Sequence, residues 1–314
     1  MEKDKRMYVA VLMGGVSSER EVSLHSGQGV ADALRRIGFD VFEAAVDDAS
    51  LACIEGLDLD AAFIALHGAF GEDGRVQALL EEAGIPYVGS GPEASRLALD
   101  KIATKRMFTQ VGIPTPQYVS LDEEPDTGET FAIFAGLGPR VVIKPACQGS
   151  SIGVSIVDEQ GFTEGVEKAL KYDGRIVVER FIKGRELTVG ILGDRALPII
   201  ELKPHREFFD YTAKYQYGET DYIINPELPK GVAVKAQQYA LDAFHCLGCR
   251  DISRVDLMLS EKGELLVLEV NTIPGFTETS LVPKAAAAIG ISFPSLCKKL
   301  VEFAVERAGA ANSL

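Results

Sequence analysis

Residues 251–275 read DISRVDLMLSEKGELLVLEVNTIPG, two alternating apolar runs separated by the polar segment SEKG. Alternation of this kind around a short Gly-containing segment predicts an antiparallel β-hairpin, with its turn at Lys262-Gly263. Because successive side chains of a strand point to opposite faces, one face of the hairpin is predicted to lie in the core. That face comprises Val255, Leu257, Leu259, Leu268 and Val270.

The other face of the predicted hairpin carries two opposed polar pairs. Asp256 faces Glu269 across the ladder, and Arg254 faces Asn271. Opposed carboxylates repel each other unless a positive charge lies between them, and paired Cβ atoms are only about 4.5–5.5 Å apart. With no His or Cys nearby, these oxygen donors suit a hard cation such as Mg²⁺. The alternative is a solvated face on which Arg254 neutralises Asp256.

A second stretch, KPACQGSSIG at residues 144–153, places a lysine before a small-residue loop. The flanking runs VVIK and IGVSIV are rich in β-branched residues and predict strands. A Gly/Ser-rich loop beside a cation is typical of phosphate binding, but in a P-loop the lysine follows the glycines and opens a helix. Lys144 precedes the loop, so the stretch indicates phosphate binding in a different arrangement.

Composition narrows the class of protein. With 314 residues, 46% of them hydrophobic, the chain is long enough for about two or three domains. The net charge of -14 argues against a nucleic-acid partner, because such proteins bind phosphates through a basic surface. Five cysteines do not suggest a disulfide framework. The CxxC at Cys246 and Cys249 fits a helix end better than a redox or metal site.

The first residues, MEKDKRMYVAVLMGG, lack the apolar region and cleavage site of a signal peptide. No apolar stretch approaches the ~18 residues needed to span a bilayer. We therefore expect a soluble, cytoplasmic protein with no membrane partner.

Strand-like and helix-like segments alternate in the first third of the chain. YVAVLM, FDVFEAAV and AAFIAL are short apolar runs, and a helical pattern after the first places Val30, Leu34 and Ile37 on one face. Such alternation predicts a parallel α/β sheet. One long helix is predicted over residues 92–111, and a charged loop over residues 203–226.

Several polar residues are candidates for a ligand site, and each also has a structural explanation. Residues 17–20, SSER, enter a helix after the first predicted strand, where backbone N–H groups favour an anion. His67 ends a strand, where doubly wound sheets bind ligands, although a lone histidine there is more often structural. Glu179 and Glu186 flank a Gly turn, and Lys214 lies in a tyrosine-rich loop as long as many lids.

Several motifs occur along the chain in a fixed order: GGVSSEREVS, HGAFGEDG, the DK pair at 100–101, VIKPACQGSSIG, DYTAKY, RVDLML and LEVNTIPGFTETSLVP. Together they resemble the D-alanine–D-alanine ligase family of the ATP-grasp superfamily. The resemblance covers essentially the whole chain, and the order of the motifs makes it specific.

The resemblance implies an α/β and α+β protein with the ATP-grasp fold, in which two α+β subdomains clamp ATP behind an N-terminal parallel α/β (pre-ATP-grasp) domain. We expect an N-terminal substrate-binding domain over residues 1–96. A central ATP-grasp subdomain would follow over 97–184, and a C-terminal one with the lid loop and metal site over 185–314. The resemblance also implies a homodimer.

The resemblance further implies which residues bind the nucleotide and metal. Contacts to phosphate, adenine or ribose are implied for Lys101, Lys144, Ser150, Ser151, Glu179, Arg180, Phe181, Ile182, Glu186 and Lys214. Two Mg²⁺ ions, which Mn²⁺ can replace, would be held by Asp256, Glu269 and Asn271. Glu19, Ser150 and Tyr215 would form a set that latches the lid.

The implied reaction joins two D-alanines for peptidoglycan precursor synthesis. The carboxylate of the first attacks the γ-phosphate of ATP, and the amine of the second then displaces phosphate from the acyl phosphate. Positioning and charge neutralisation dominate the first step, and the second needs donors for an oxyanion. Substrate contacts are implied for Glu19 and His67 (first D-alanine), Arg254 and Gly275 (oxyanion), and Ser280 and Leu281 (second carboxylate).

Alternatives remain at two levels. An ATP-grasp ligase for D-lactate, D-serine or another amino acid would share nearly every motif, although the lid pair Lys214-Tyr215 favours D-alanine over D-lactate. A non-catalytic nucleotide-binding protein would be expected to lack a metal ligand or Arg254, and the chain retains them. The chain departs from the family's usual residues at the ERFI segment and at Cys147-Gln148.

Overall fold

The computed structural model describes residues 6–205 and 220–311, and these residues form three β-sheets. The N-terminal sheet is parallel, with strand order β2-β1-β3. Its elements are β1 (Tyr8–Gly14), α1 (Arg20–Arg36), β2 (Asp40–Val46), a 3₁₀ turn (Ala52–Ile54), β3 (Ala61–Ile64) and α2 (Arg75–Glu82). The predicted parallel α/β unit is therefore confirmed. Ile37 follows the end of α1 and is exposed, so the prediction that it shares one helix face with the buried Val30 and Leu34 is wrong.

The predicted long helix over 92–111 is two helices, α3 (Pro92–Leu99) and α4 (Lys101–Val111). Asp100 separates them because its backbone is extended and its side chain accepts hydrogen bonds from the N–H groups of Ile102 and Ala103. An aspartate in this position caps the start of a new helix. The break places Lys101 at the first residue of α4.

The central sheet is antiparallel, with strand order β4-β7-β5-β6. Its elements are β4 (Tyr118–Leu121), α5 (Thr127–Leu137), β5 (Val141–Pro145), β6 (Ser155–Val157), α6 (Phe162–Leu170) and β7 (Ile176–Arg180). Both helices pack on one face, where Ile143 and Val178 are buried. Because strand side chains alternate, Lys144 and Glu179 lie on the opposite face.

The C-terminal sheet has strand order β11-β10-β8-β12-β13, with β9 paired to β8. Its strands are β8 (Gly184–Leu192), β9 (Arg195–Ala196), β10 (Ile200–Pro204), β11 (Thr220–Ile224), β12 (Ile252–Ser260) and β13 (Leu265–Asn271). The helices of this part are α7 (Val232–Cys246), α8 (Leu281–Ala287) and α9 (Phe293–Ala311). The ends of the predicted loop over 203–226 are strands that pair with each other, so the prediction of these ends as loop is wrong, and residues 206–219 lie outside the described residues.

The β12–β13 hairpin has the polar pairs expected from its sequence, Asp256 with Glu269 and Arg254 with Asn271. The register then shifts, and Leu257 pairs with Val267. This β-bulge moves Val267 into the core and leaves Leu268 half-buried. The prediction of Leu268 as a core residue is therefore wrong, since an extra residue in one strand reverses the alternation beyond it.

Two further observations concern the chain as a whole. No helix in the described ranges is long and apolar enough to cross a membrane. Cys246 ends α7 and Cys249 is buried, and both are free thiols. The domain boundaries after residues 96 and 184 stay predictions.

Candidate active site

A cavity of about 80 Å³ lies where the N-terminal sheet, the loop after β5 and the β12–β13 hairpin meet. We call it the central cavity. Its lining includes many of the predicted site residues: Glu19, His67, Lys101, Ser150, Arg254, Glu269, Asn271 and Gly275. Glu72, Gln148, Gly149 and Thr272 line it too. The fold thus brings together residues that are distant in sequence.

Glu19 and Ser150 join the N-terminal part of the chain to the loop after β5. Ser150 Oγ donates a hydrogen bond to Glu19 Oε1, and Glu19 is buried. Gly68 makes this approach feasible, because a Cβ atom there would lie 3.0 Å from Glu19 Oε2. Ser150 has a positive φ of 51° and Ser151 one of 59°, so the loop turns sharply over the cavity.

His67 lines the central cavity and is buried. Its Nε2 is 3.2 Å from Ser26 Oγ, and its Nδ1 is 3.6 Å from Glu72 Oε1. Burial and two neighbours fix the ring beside Glu19 and Glu72. Glu72 is absent from the predicted set, although the HGAFGEDG motif contains it. The two carboxylates converge on Gly149, where they would suit an ammonium group.

Lys101 reaches the cavity from the start of α4. Its backbone N–H donates to Ala146 O, and its Nζ donates to Gln148 O at 2.5 Å. Nζ is also 3.9 Å from Glu269 Oε2. The side chain therefore connects the loop after β5 to the hairpin.

Cys147 and Gln148, where the chain departs from the family, anchor the base of this loop. The N–H of Cys147 donates to Asp173 Oδ2 at 2.7 Å, and Arg175 Nη2 is 3.5 Å from Cys147 Sγ. Burial raises the pKa of the Cys147 thiol to about 11. The thiol is neutral at physiological pH, so this pair adds no charge to the loop.

Lys144 lies on the inner face of the central sheet, 3.1 Å from Glu179 Oε2. Lys105, which the sequence did not point to, lies 3.3 Å from Glu179 Oε1. Burial alone would raise the pKa of Glu179, but the two ammonium groups outweigh it and lower that pKa. Burial likewise opposes the charge of Lys144, yet Glu179 and Glu269 hold its pKa above the usual value. Both groups are therefore charged at neutral pH.

The residues predicted to contact adenine and ribose lie along the end of β7 and the start of β8. The N–H of Arg180 donates to Gln117 O at 2.8 Å, and that of Phe181 donates to Arg140 O at 3.2 Å. Both backbone N–H groups are therefore already hydrogen-bonded within the protein, and a ligand there would bond to the backbone carbonyl groups instead. Ile182 follows them. Glu186 lies on β8, and its charge helps to raise the pKa of Lys144.

The predicted metal ligands lie on the hairpin. Asp256 accepts hydrogen bonds from Arg254 Nε at 2.9 Å and Nη2 at 2.8 Å, and from Thr188 Oγ1 at 2.7 Å. Glu269 and Asn271 line the central cavity. In the described ranges no three or more His, Cys, Asp or Glu side chains cluster as a metal site. Two carboxylates and an amide oxygen still fit Mg²⁺, which takes one or two carboxylates and completes its shell with water and phosphate.

Gly275 and Ser280 lie beyond the hairpin. Ser280 Oγ accepts a hydrogen bond from the N–H of Thr277 at 3.0 Å, and a Cβ atom on Gly275 would lie 3.5 Å from it. Leu281 opens α8. Lys214 and Tyr215 lie outside the described residues.

Comparison with known families decides the identity of the fold. Residues 107–302 match the family model described as D-ala D-ala ligase C-terminus, and residues 52–90 match D-ala D-ala ligase N-terminus. The chain belongs to the D-alanine–D-alanine ligase family. It has the ATP-grasp fold of that family.

Similar proteins extend this finding to the full chain. A D-alanine–D-alanine ligase of Desulforudis audaxviator is 47% identical over 95% of this chain and 99% of its own length. The Bacillus anthracis D-alanine–D-alanine ligase complexed with ATP is 33% identical, with a TM-score of 0.85 over 97% of this chain and 99% of the other. The VanG D-Ala:D-Ser ligase of Enterococcus faecalis is 29% identical, with a TM-score of 0.82 over 95% and 99%.

Proposed function

We infer that this chain joins two D-alanines into D-alanyl-D-alanine at the expense of ATP, through a D-alanyl phosphate, for peptidoglycan precursor synthesis. One observation supports this most strongly. The central cavity brings the Glu19–Ser150 pair, Lys101 and the Arg254–Glu269 face of the hairpin to one place. A carboxylate, phosphate-binding cations and metal-type oxygens are what acyl-phosphate chemistry requires.

The first D-alanine would bind by its ammonium group between Glu19 and Glu72, with His67 beneath. Both carboxylates lie close to Gly149, so the substrate would lie under the loop that carries Ser150. Its carboxylate would then point towards Lys101 and Arg254, which line the same cavity. This orientation would bring the attacking oxygen next to the γ-phosphate of ATP.

ATP would lie between the facing sheets. Lys101 and Lys144 would contact its phosphates, Ser150 and Ser151 would cover them, and Lys214 would reach the transferring group. Glu179, Glu186 and the segment from Arg180 to Ile182 would hold adenine and ribose. Asp256, Glu269 and Asn271 would hold two Mg²⁺ ions, for which Mn²⁺ can substitute. When bound, these ions neutralise phosphate charge.

In the second step, the amine of the second D-alanine attacks the acyl phosphate, the tetrahedral oxyanion forms, and phosphate leaves. Arg254 and the N–H of Gly275 would donate to the oxyanion, and Arg254 is held in place by its two hydrogen bonds to Asp256. Ser280 and the backbone of Leu281 would bind the carboxylate of the second substrate. Tyr215 would complete the latch with Glu19 and Ser150.

Phosphate release with D-alanine as the sole amino acid tests the proposed function. We expect ATP-dependent release of phosphate and a product with the mass of D-alanyl-D-alanine. No turnover with D-alanine alone would contradict the proposal.

A ligase that uses D-serine or D-lactate as second substrate is the runner-up, since a D-Ala:D-Ser ligase is among the similar structures. Reactions with D-alanine alone, and with D-alanine plus D-serine or D-lactate, at two pH values separate the two. A dominant mixed product would favour the runner-up. Retention of Arg254, Asp256, Glu269 and Asn271 argues against a non-catalytic nucleotide-binding protein.

A homodimer and a cytoplasmic location complete the proposal. Light scattering of the purified chain measures the first, and cell fractionation the second.

A further inference from the structure

Lys105 is a charged residue with no exposed surface, on the inner side of α4. Lysine is almost never fully buried unless it is paired. Here Nζ donates to Thr115 Oγ1 at 2.7 Å, lies 3.3 Å from Glu179 Oε1 and lies 5.4 Å from the centre of the Tyr118 ring. These contacts fix the ammonium group at one position.

The partner of Lys105 already has a cation. Glu179 Oε2 lies 3.1 Å from Lys144 Nζ, so one buried carboxylate lies between two ammonium groups. With only Lys144 beside it, Glu179 would form a neutral pair, and Lys144 would have little net charge to offer an anion. With Lys105 added, the three groups carry two positive charges and one negative.

On the basis of the proposed function, we propose that Lys105 is a positioning residue of the nucleotide site, which balances and orients Glu179 so that the charge of Lys144 remains available to the ATP phosphates. Thr115 holds Lys105 in place from the other side. Lys105 acts through Glu179 and Lys144 and does not itself contact ATP. An excess charge in a buried site is felt more strongly than one in water, because the local dielectric is low.

The charges around Lys105 are consistent with this role. The pKa of Lys105 is lowered to about 8, mainly by burial and further by the charge of Lys144 on β5. The carboxylates of Glu179 on β7 and Glu269 on β13 act in the opposite direction and raise it. Tyr118 on β4 contributes only its ring. As the pH rises through about 8, Lys105 loses its proton and the cluster loses its net positive charge. ATP affinity is therefore expected to fall on the alkaline side.

Lys105→Met removes the charge and keeps most of the side-chain volume. We expect the Kd for ATP, measured by calorimetry on the full chain, to rise at least about tenfold, because breaking a buried charge pair strongly affects the group left behind. The KM for D-alanine should change less than about twofold. Arg106→Met, an exposed cation next to Lys105 on the same helix, is the matched control and should leave both unchanged.

A double variant separates charge balance from simple packing. Lys105→Met makes the cluster neutral, and Glu179→Gln in that background leaves Lys144 as its one charge, which restores the original net charge. Because Glu179 would also contact adenine, this comparison uses inorganic tripolyphosphate, which has the phosphates of ATP but no adenine. The double variant should bind tripolyphosphate more tightly than Lys105→Met alone. If packing were the whole role of Lys105, the second substitution would weaken binding further.

The pH profile gives an independent readout. ATP affinity of the native chain should decline as the pH passes about 8, and Lys105→Met should lack that decline. An unchanged Kd in Lys105→Met, or a double variant that binds tripolyphosphate more weakly than the single one, would overturn the proposal. If Lys105→Met does not fold, Thr115→Val decides: weaker ATP binding with a normal melting temperature supports it, and unchanged binding overturns it.

Calorimetry with ATP alone needs no D-alanine. Native chain that binds ATP but makes no D-alanyl-D-alanine would contradict the proposed function and leave the Lys105 test intact. Active native chain with unaltered Lys105→Met would contradict the Lys105 proposal alone.

Discussion

The central sheet, together with α4, and the β12–β13 hairpin carry charge clusters of opposite sign. At the central sheet, Lys105 from α4 and Lys144 from β5 lie on either side of one carboxylate, Glu179 on β7. On the β12–β13 hairpin, Asp256 pairs with Glu269 and Arg254 is hydrogen-bonded to Asp256, while Lys101 from α4 lies 3.9 Å from Glu269. The first cluster has an excess of positive charge, whereas the charged residues that the hairpin itself supplies have an excess of negative charge.

This difference matches the two components of a nucleotide complex. Under the proposed function, the anionic phosphates would bind at the first cluster and their divalent cations at the second. In each cluster one residue of opposite charge, Glu179 in the first and Arg254 in the second, cancels only part of the charge of the two like-charged groups beside it. The variants below test that division of roles, from the largest expected effect to the smallest.

Glu269→Ala removes a carboxylate from the negative cluster and should reduce ligation more than about a hundredfold, since even groups that only support a metal ligand affect activity by 10–100-fold. The chain should stay folded, because Glu269 is half-exposed and faces the cavity. D-alanine-dependent phosphate release measures the loss. Glu264→Ala, an exposed residue of the same hairpin, is the control. Near-native turnover of Glu269→Ala would rule out the hairpin metal site.

Lys144→Met removes the phosphate-facing member of the positive cluster. We expect kcat/KM for ATP to fall about a hundredfold, which corresponds to the roughly 3 kcal/mol lost when one partner of a charged hydrogen-bonded pair is removed. The KM for D-alanine should change little. Lys171→Met, an exposed lysine after α6, should behave like the native chain. Equal losses for both substrates would mean that the two sheets do not divide the roles.

Ser150→Ala tests the link between the loop and Glu19. A hydrogen bond to a charged acceptor is worth about 1.5–3 kcal/mol, so kcat should fall about tenfold or more. Alanine keeps the Cβ atom, so the positive φ of residue 150 is equally unfavourable in both chains and the hydroxyl alone is tested. Ser120→Ala, on the exposed part of β4, is the control. An unchanged kcat would mean that the Ser150–Glu19 hydrogen bond is not needed to hold the loop over the cavity.

Glu179→Gln should produce the smallest effect, on the pH dependence of stability. The lowered pKa of Glu179 stabilises the fold fully above pH 4.5, where the unfolded side chain is already ionised. As the pH falls below 4.5 through the folded pKa, the unfolded chain binds the proton first and that stability is lost. Thermal melts between pH 7 and pH 3 should therefore show a shallower acid decline for Glu179→Gln than for Glu264→Gln. Identical declines would mean that the positive cluster does not hold Glu179 ionised.

The sequence was informative where a contact depends on local alternation. The pairing of Asp256 with Glu269 followed from the two runs and their turn, because strand geometry relates residue spacing directly to register. The bulge at Leu268 did not follow, since an extra residue costs little locally and is decided by packing across the sheet. The break at Asp100 was missed for a related reason: a helical pattern continues on both sides of it.

Lys105 and Glu72 show where sequence reasoning ends. Lys105 lies in a segment with a helical pattern, and Glu72 lies in the HGAFGEDG motif, where only His67 was predicted to bind a ligand. Their importance depends on Glu179 and His67, which come from other elements. No spacing within one segment predicts such a contact.

The sequence by itself determined the family, the parallel N-terminal unit, the hairpin register and most residues that line the central cavity, because these depend on local periodicity or on the order of motifs. Tertiary structure alone decided which charges balance each other. Lys105 is buried beside Glu179 only when α4, β5 and β7 pack together. That packing also creates the excess positive charge at Lys144, since burial and electrostatic coupling depend on neighbours in space.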